Sequence, residues 1–368
     1  MALYLVAGGA GFIGRHLCQE LRRQGHQVRV LDSLVEQVHV PGTTIDLGRD
    51  VDFIEGDLRD AASVRRALAG VDGVFNLAAE VGVGQSMYEI ERYVGANDLG
   101  TAVLMQEIME QPVRRVVVAS SMSIYGEGLY RRPDGTLVAS ASRRAADLQA
   151  GDWEPKDGKE TLEPLPTDEN KQPDLASVYA LSKYVQERLT LMLCAAYGME
   201  GVALRLFNVF GPGQQLSNPY TGVLAIFSGR LLNGQPPSIF EDGQQRRDFV
   251  HVADVARAFC LAMEAPAAVG QAINIGSGRS HSVLEVARLL GQAMGREDLV
   301  PQILEQARSG DIRHCFADIR KARDLLGYSP RLRLEDGLQE LVQWVATQQA
   351  EDRVGEARHE LEKRGLVV

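Results

Sequence analysis

The chain has 368 residues, 45% of them apolar and 24% charged, with a formal net charge of −10. This is the composition of an ordinary globular protein with room for a sizeable core, in two domains or one large one, and its negative charge argues against nucleic acid or an anionic membrane as partner. No apolar run reaches the ~20 residues of a membrane span, and four scattered cysteines (Cys18, Cys194, Cys260, Cys315) form no zinc or disulfide framework, as expected of reduced thiols in a cytoplasmic protein.

The first element is an apolar strand, Leu3–Ala7, followed directly by the glycine turn Val6-Ala-Gly-Gly-Ala-Gly-Phe-Ile-Gly14. No basic segment precedes it, so a signal peptide is not expected. Phe12, Ile13, Leu17 and Leu21 then share one face of a helix. Gly8, Gly11 and Gly14 give a GxxGxxG spacing, which permits a sharp turn and lets a pyrophosphate approach the backbone at a helix N-terminus. A second strand, Val28–Asp32, ends in a carboxylate placed to grip ribose hydroxyls. Further strands at Val51–Glu55, Gly73–Leu77 and Val116–Ser120 alternate with helical patterns at Ala61–Leu68 and from about Glu91 to Glu110. The alternation predicts an α/β fold: a Rossmann-like, doubly wound parallel sheet.

Residues 127–172 break this rhythm. They are polar and lack clear periodicity, which predicts an insertion or mobile lid at the mouth of a functional pocket. A helix from about Ser177 to Tyr197 follows. Val178, Leu181, Val185, Leu189 and Met192 form one apolar stripe; Ala180, Tyr184, Leu191 and Ala195 form another. Two readings stay open: burial inside one chain, or a homodimer through this helix and the one near 91–110. Beyond strand Val202–Leu206, shorter elements and Gly/Pro turns predict a smaller C-terminal α/β lobe that binds substrate. The expected division is 1–205 for a Rossmann domain with its insertion, and 206–350 mainly for the lobe, with part of 247–270 returning to the first domain. Residues 351–368 read as a charged tail with a frayed helix.

Tyr179-Ala-Leu-Ser-Lys183 stacks a phenol and an ammonium at i and i+4. The cation is expected to favour the phenolate and lower the tyrosine pKa. Ser120-Ser-Met-Ser-Ile-Tyr-Gly126 follows a sheet strand, so a hydroxyl there meets the crevice at the strand ends.

Together with Gly56-Asp57-Leu58, Leu77-Ala-Ala79, Leu204-Arg-Leu-Phe-Asn-Val-Phe-Gly-Pro212, Arg247-Asp-Phe-Val-His-Val-Ala-Asp254, Asn274-Ile-Gly-Ser277 and Arg308-Ser-Gly-Asp311, these motifs resemble the extended short-chain dehydrogenase/reductase family, specifically its nucleotide-sugar epimerases and dehydratases. The resemblance implies a catalytic set of Ser121, Tyr179 and Lys183. It implies NAD as cofactor, held by Gly8, Gly11, Phe12, Ile13, Gly14, Asp32, Asp57, Leu58, Ala78, Asn97, Tyr179 and Lys183. For the sugar nucleotide it implies Ser121, Asn208, Arg247 and Arg308, with Cys315 controlling room around the sugar. Asp32, with no arginine in Ser33-Leu34, favours NAD over NADP.

Dehydratases of the family place Asp-Glu after the catalytic Ser/Thr; here those positions are Met122 and Ser123, which argues against dehydration. The insertion resembles that of dTDP-L-rhamnose 4-epimerase-like members, where it often carries cysteines. This one has none, so no metal is expected. The implied activity is NAD-dependent 4-epimerisation of a dTDP- or UDP-hexose. Net oxidation or reduction of such a sugar is the alternative, and a non-catalytic NAD-binding regulator is disfavoured by the retained Ser, Tyr and Lys.

Overall fold

The computed structural model describes residues 1–39, 47–138, 140–220, 222–308 and 310–367. Seven strands form the central sheet: β1 (Leu3–Ala7), β2 (Gln27–Asp32), β3 (Val51–Glu55), β4 (Gly73–Asn76), β5 (Arg115–Ser121), β6 (Glu200–Leu206) and β7 (Ala272–Ile275). Their order is β7-β6-β5-β4-β1-β2-β3, with every neighbouring pair parallel. The doubly wound sheet expected from the sequence is present. β5 is buried along its whole length; its Val116–Ala119 run is apolar without alternation because both faces of a parallel sheet are covered. The strand order reverses between β4 and β1, which opens a crevice at the strands' carboxyl ends.

Helix α1 (Phe12–Arg23) covers one face, and α2 (Ala61–Leu68), α3 (Gly100–Glu110) and α4 (Val178–Ala196) cover the other. The long helix expected from Glu91 is interrupted: Ile90–Tyr93 is α-helical, but Val94–Leu99 is a π-turn that precedes α3. The chain then leaves the sheet for α5 (Val223–Leu232). It returns for α6 (Val252–Glu264), which packs beside α1, and for β7. The return thus runs to Ile275. It leaves again for α7 (Val283–Ala293) and α8 (Leu334–Val345), whose Leu290, Leu338 and Leu341 close a separate core with Leu224, Phe227 and Leu231 of α5.

The insertion is not a lid. None of the described residues of 127–172 lines the cleft described below. It builds a small antiparallel sheet from Glu163–Leu165, Leu129–Arg131 and Leu137–Val138, over a core of Tyr130, Val138, Ala141 and Leu162. Its charges are counter-ions for the lobe. Arg313, 1% exposed, pairs with Glu154, Glu241 and Asp242 at 2.5, 2.9 and 2.6 Å. Arg143 pairs with Glu127 and Glu241, and His314 meets Glu154 at 2.9 Å. A polar composition reads as solvated in sequence; here the polarity is internal. The one undescribed residue of the insertion is Ala139, and Ser309 of the Arg308–Asp311 motif also lies outside the described residues.

Truncating one partner of a buried ion cluster costs about 3–5 kcal/mol, and Arg313→Ala should lower the unfolding free energy by that amount in urea titrations. Burial by itself raises the Glu154 pKa, but hydrogen bonds from His314 and Arg313 outweigh it and hold the carboxyl down at about 2. Its contribution to stability is therefore complete above the ordinary carboxylate range and is lost as pH falls through that range towards 2. Glu154→Gln should remove that part of the acid dependence, read as the slope of the melting temperature against pH.

Candidate active site

A cleft of about 860 Å³ runs along the carboxyl ends of the strands. At its floor Gly8, at φ +76°, lies so close to the strand-β4 exit that a Cβ there would stand 2.7 Å from the Ala78 nitrogen. Gly14 is equally constrained: a Cβ would lie 2.4 Å from the Gly8 carbonyl and 2.6 Å from the Gly9 Cα. Gly11 caps α1 with extended backbone, and a Cβ there would meet only the Gly8 oxygen at 3.3 Å. The first turn of α1 carries no acidic residue, and no side chain caps its N–H groups. This cradle fits a pyrophosphate, whose charge the helix N-terminus stabilises.

Asp32, at the end of β2, accepts backbone hydrogen bonds from Ala10 and Leu34, both at 3.0 Å. The carboxylate is held in place, with lone pairs left for ribose hydroxyls. His39, absent from the sequence reading, stands 3.7 Å from it. Burial pushes the His39 pKa down despite Asp32, so this ring brings no positive charge for a 2′-phosphate. Phe12, Ile13, Asp57, Leu58 and Ala78 also line the cleft.

The catalytic side is set by α4. Ser177 caps the helix by accepting from the Ala180 N–H at 3.1 Å, and the Tyr179 N–H donates to Ser86 Oγ at 3.0 Å. Tyr179 and Ser121, the latter at the end of β5, line the same cleft. Ser123, which has no site role in the sequence analysis, donates its hydroxyl to Ser121 Oγ at 2.9 Å. Lys183 Nζ donates to Gln186 Oε1 at 2.5 Å. The expected lowering of the Tyr179 pKa is not found. Burial raises it, and the neighbouring Ser121 only partly offsets this. Burial likewise brings the Lys183 ammonium down to about 7, with Asp98 and Glu187 opposing, so desolvation dominates both groups.

Behind this pair the helix buries polar groups. Glu187, 1% exposed, accepts from Ser120 Oγ at 2.7 Å and from Arg205 at 2.7 and 3.0 Å. Arg205 also donates to the Tyr125 hydroxyl, which in turn donates to Asn274 Oδ1 at 2.7 Å. Ser120 and Ser121 point to opposite faces of β5, as strand alternation requires. Ser120 therefore serves the helix while Ser121 serves the cleft.

The lobe supplies the opposite wall, where Asn208, Arg247 and Arg308 line the cleft with Phe240. Asn208 Oδ1 is buried with no hydrogen-bond partner. Arg247 donates to the Arg313 carbonyl at 3.0 Å and to that of Ile312. Arg308 lies over the Phe240 ring at 4.5 Å and is held by Asp311 at 2.8 Å. Two expected residues do not reach the cleft. Asn97 is fully buried, and its amide links Glu80 to Ser182 of α4. Cys315 is buried among Met122, Ile124, Tyr125 and Phe207, its sulfur 3.9 Å from Thr167 Oγ1. One is a helix brace and the other a core residue.

Residues 4–276 match the family described as "NAD dependent epimerase/dehydratase family". The chain belongs to this family, and its cofactor is NAD. It is 34% identical over 347 residues to a dTDP-L-rhamnose 4-epimerase from Burkholderia thailandensis, covering 93% of this chain and 94% of that protein. Among solved structures it is similar to a Thermotoga maritima UDP-glucose 4-epimerase with UDP-glucose (30% identity, TM-score 0.75, 94% and 98% of the two chains). It is also similar to a Thermus thermophilus UDP-glucose 4-epimerase in complex with NAD (28%, TM-score 0.75, 94% and 99%).

The Cβ distances at Gly14 involve backbone atoms, which move only if the turn opens. Gly14→Ala should therefore yield a folded protein that purifies with little NAD, measured by releasing and quantifying the dinucleotide. NAD content equal to that of the parent chain would contradict the cradle assignment.

Proposed function

We propose that this chain is a 4-epimerase of a nucleoside diphosphate hexose, a UDP- or dTDP-sugar. The observation that carries this reading is the convergence of Ser121, Tyr179 and Lys183 on the wall of one cleft. The glycine cradle lies along the same cleft, as do Arg247 and Arg308. The relatives that carry this activity in their names, at near full-length coverage, support it.

Tyr179 acts as the phenolate: with Ser121 bridging, it takes the proton of the C4 hydroxyl, becoming the neutral phenol, and returns that proton at the end of the cycle. Ser123 extends that chain of hydroxyls by one step. When bound, NAD supplies reversible hydride transfer at C4, so it is restored in each turnover. Lys183, on the same cleft, would hold the nicotinamide ribose. Asn208, Arg247 and Arg308 grip the diphosphate, and guanidinium groups suit this because their forked N–H groups pair two oxygens at once. With the diphosphate fixed, the sugar turns over inside the cleft and presents its other face. In this reading residues 1–205 mainly serve the cofactor and 206–350 mainly the substrate.

We further infer a homodimer in the cytoplasm. The outward face of α4 and the helical segment before α3 expose Leu181 (45%), Met192 (54%), Ile90 (52%) and Leu99 (53%), a concentration of apolar surface that favours a partner. The four cysteines are all free and buried, which suits a reducing compartment. No helix among the described residues is long and apolar enough to cross a membrane.

Incubation with UDP-, dTDP- and GDP-sugars without added cofactor, followed by NMR, should show 4-epimers of one or more sugars. Stoichiometric NADH would instead indicate a dehydrogenase. Tyr179→Phe keeps the ring and removes the proton carrier, and should lower turnover by at least about 10²-fold while retaining NAD. Leu181→Glu places a charge in the proposed dimer face and should shift the protein to monomer in analytical ultracentrifugation.

A further inference from the structure

The segment that reads in sequence as a frayed, charged tail crosses the cleft. Helix α9 (Val354–Lys363) buries Ala357 and Leu361, at 7% and 6% exposure. Ala357, Arg358, Leu361 and Leu366 line the same cleft as Tyr179 and Arg308. On the lobe side, Asp352 pairs with Arg230 at 3.0 Å and the Glu351 N–H donates to Ser217 Oγ at 3.0 Å. Arg358 donates to Gln306 Oε1 at 3.0 Å, and Val367 forms an antiparallel bridge with Arg308 itself. On the other side, the Arg364 guanidinium lies 4.4 Å from the Tyr88 ring centre. There too a Cβ on Gly84 would meet Leu361 at 3.4 Å. Gly84 and Tyr88 belong to the segment that follows β4 at the cofactor cradle.

We propose that residues 351–367 are a strap that completes the nucleotide-sugar site. Arg358 and Leu361 are its substrate-contacting residues, and the Val367–Arg308 bridge positions the arginine assigned to the diphosphate. This rests on the epimerase reading given above. The strap adds Arg358 to a lobe wall that already presents Arg230, Arg247 and Arg308. Its two buried apolar side chains exclude water from the diphosphate, which strengthens those charge contacts. Its hold is slight: two apolar anchors and part-exposed ion pairs of small individual value. It can therefore lift to admit substrate and settle again over it, and it selects for ligands that keep the diphosphate beneath it.

The test compares the full chain with a version ending at Gln349, and with Arg358→Gln and Leu361→Glu in the full chain. NAD content and thermal melting report folding. Calorimetry with UDP and with dTDP reports nucleotide binding, and KM and kcat are measured on the sugar that the full chain turns over. The expected result is retained NAD, nucleotide affinity weakened about tenfold or more for truncation and for Leu361→Glu, and a higher KM with kcat little changed. Loss of one charge-assisted bond predicts roughly a tenfold effect for Arg358→Gln. Hydrogen exchange of 351–367 in the full chain should slow on addition of UDP or dTDP. Should truncation fail to fold, the two point variants and the exchange measurement decide. Unchanged affinity and KM in the folded variants would overturn the strap. Nucleotide binding with strap protection, but no turnover of any sugar nucleotide, would contradict the epimerase reading and leave the strap standing.

Discussion

The ion pair between Glu187 and Arg205 fixes the rotation of α4 about its axis, and the site depends on that rotation. Both side chains are buried, at 2.7 Å from each other. A buried carboxylate or guanidinium without a partner is strongly destabilising, so α4 settles with Glu187 facing β6 and Ser120. The positions one turn and two turns earlier, Lys183 and Ala180, are then buried as well. Tyr179 falls at the cleft edge, within reach of Ser121. The same rotation leaves Leu181 and Met192 on the outside. The helix is inverted relative to an ordinary surface helix: polar within, apolar without. One constraint thus sets both the pair proposed for proton transfer and the face proposed for a second subunit.

The insertion and the C-terminal segment exchange the roles that composition gives them. Both are charged, and charge in sequence reads as solvent exposure. In the insertion, Arg143 and Glu154 are counter-ions for Glu241 and Arg313, Glu154 also meets the His314 ring, and Glu127 accepts from the backbone N–H groups of Arg313 and His314. The segment is therefore fastened to the lobe and kept off the cleft. In the C-terminal segment the charged residues decorate a short helix whose Ala357 and Leu361 turn inwards. Two apolar residues four apart make a weak periodic signal, too short to stand out in a stretch of this composition.

Local signals were legible. The strands of the sheet, the glycine turn and the pairing of a serine strand end with Tyr179 and Lys183 follow from periodicity and spacing, because each depends on residues close in the chain. What depends on long-range pairing was not legible. The π-turn at Val94–Leu99 places Asn97 against Glu80 and Ser182, away from the cleft. Cys315 lies on a strand whose sulfur faces the packed cluster around Phe207. His39 carries no motif, and only the folded chain brings it to Asp32; Ser123 stands inside a quoted motif, but its hydroxyl contact with Ser121 depends on the turn that follows β5. The direction of the Tyr179 pKa also required the fold, since burial outweighs anything the YxxxK spacing provides.

In the proposed reaction this cleft inverts a sugar carbinol by removing and restoring the hydrogen at C4, while Tyr179 moves only the hydroxyl proton. The most direct measurement is epimerisation of an accepted sugar nucleotide in D2O, followed by proton NMR of the product. The product should be a 4-epimer that keeps its full C4 proton signal, because in this reaction the hydrogen that leaves the carbon never meets solvent. Deuterium at C4 of the product would contradict it.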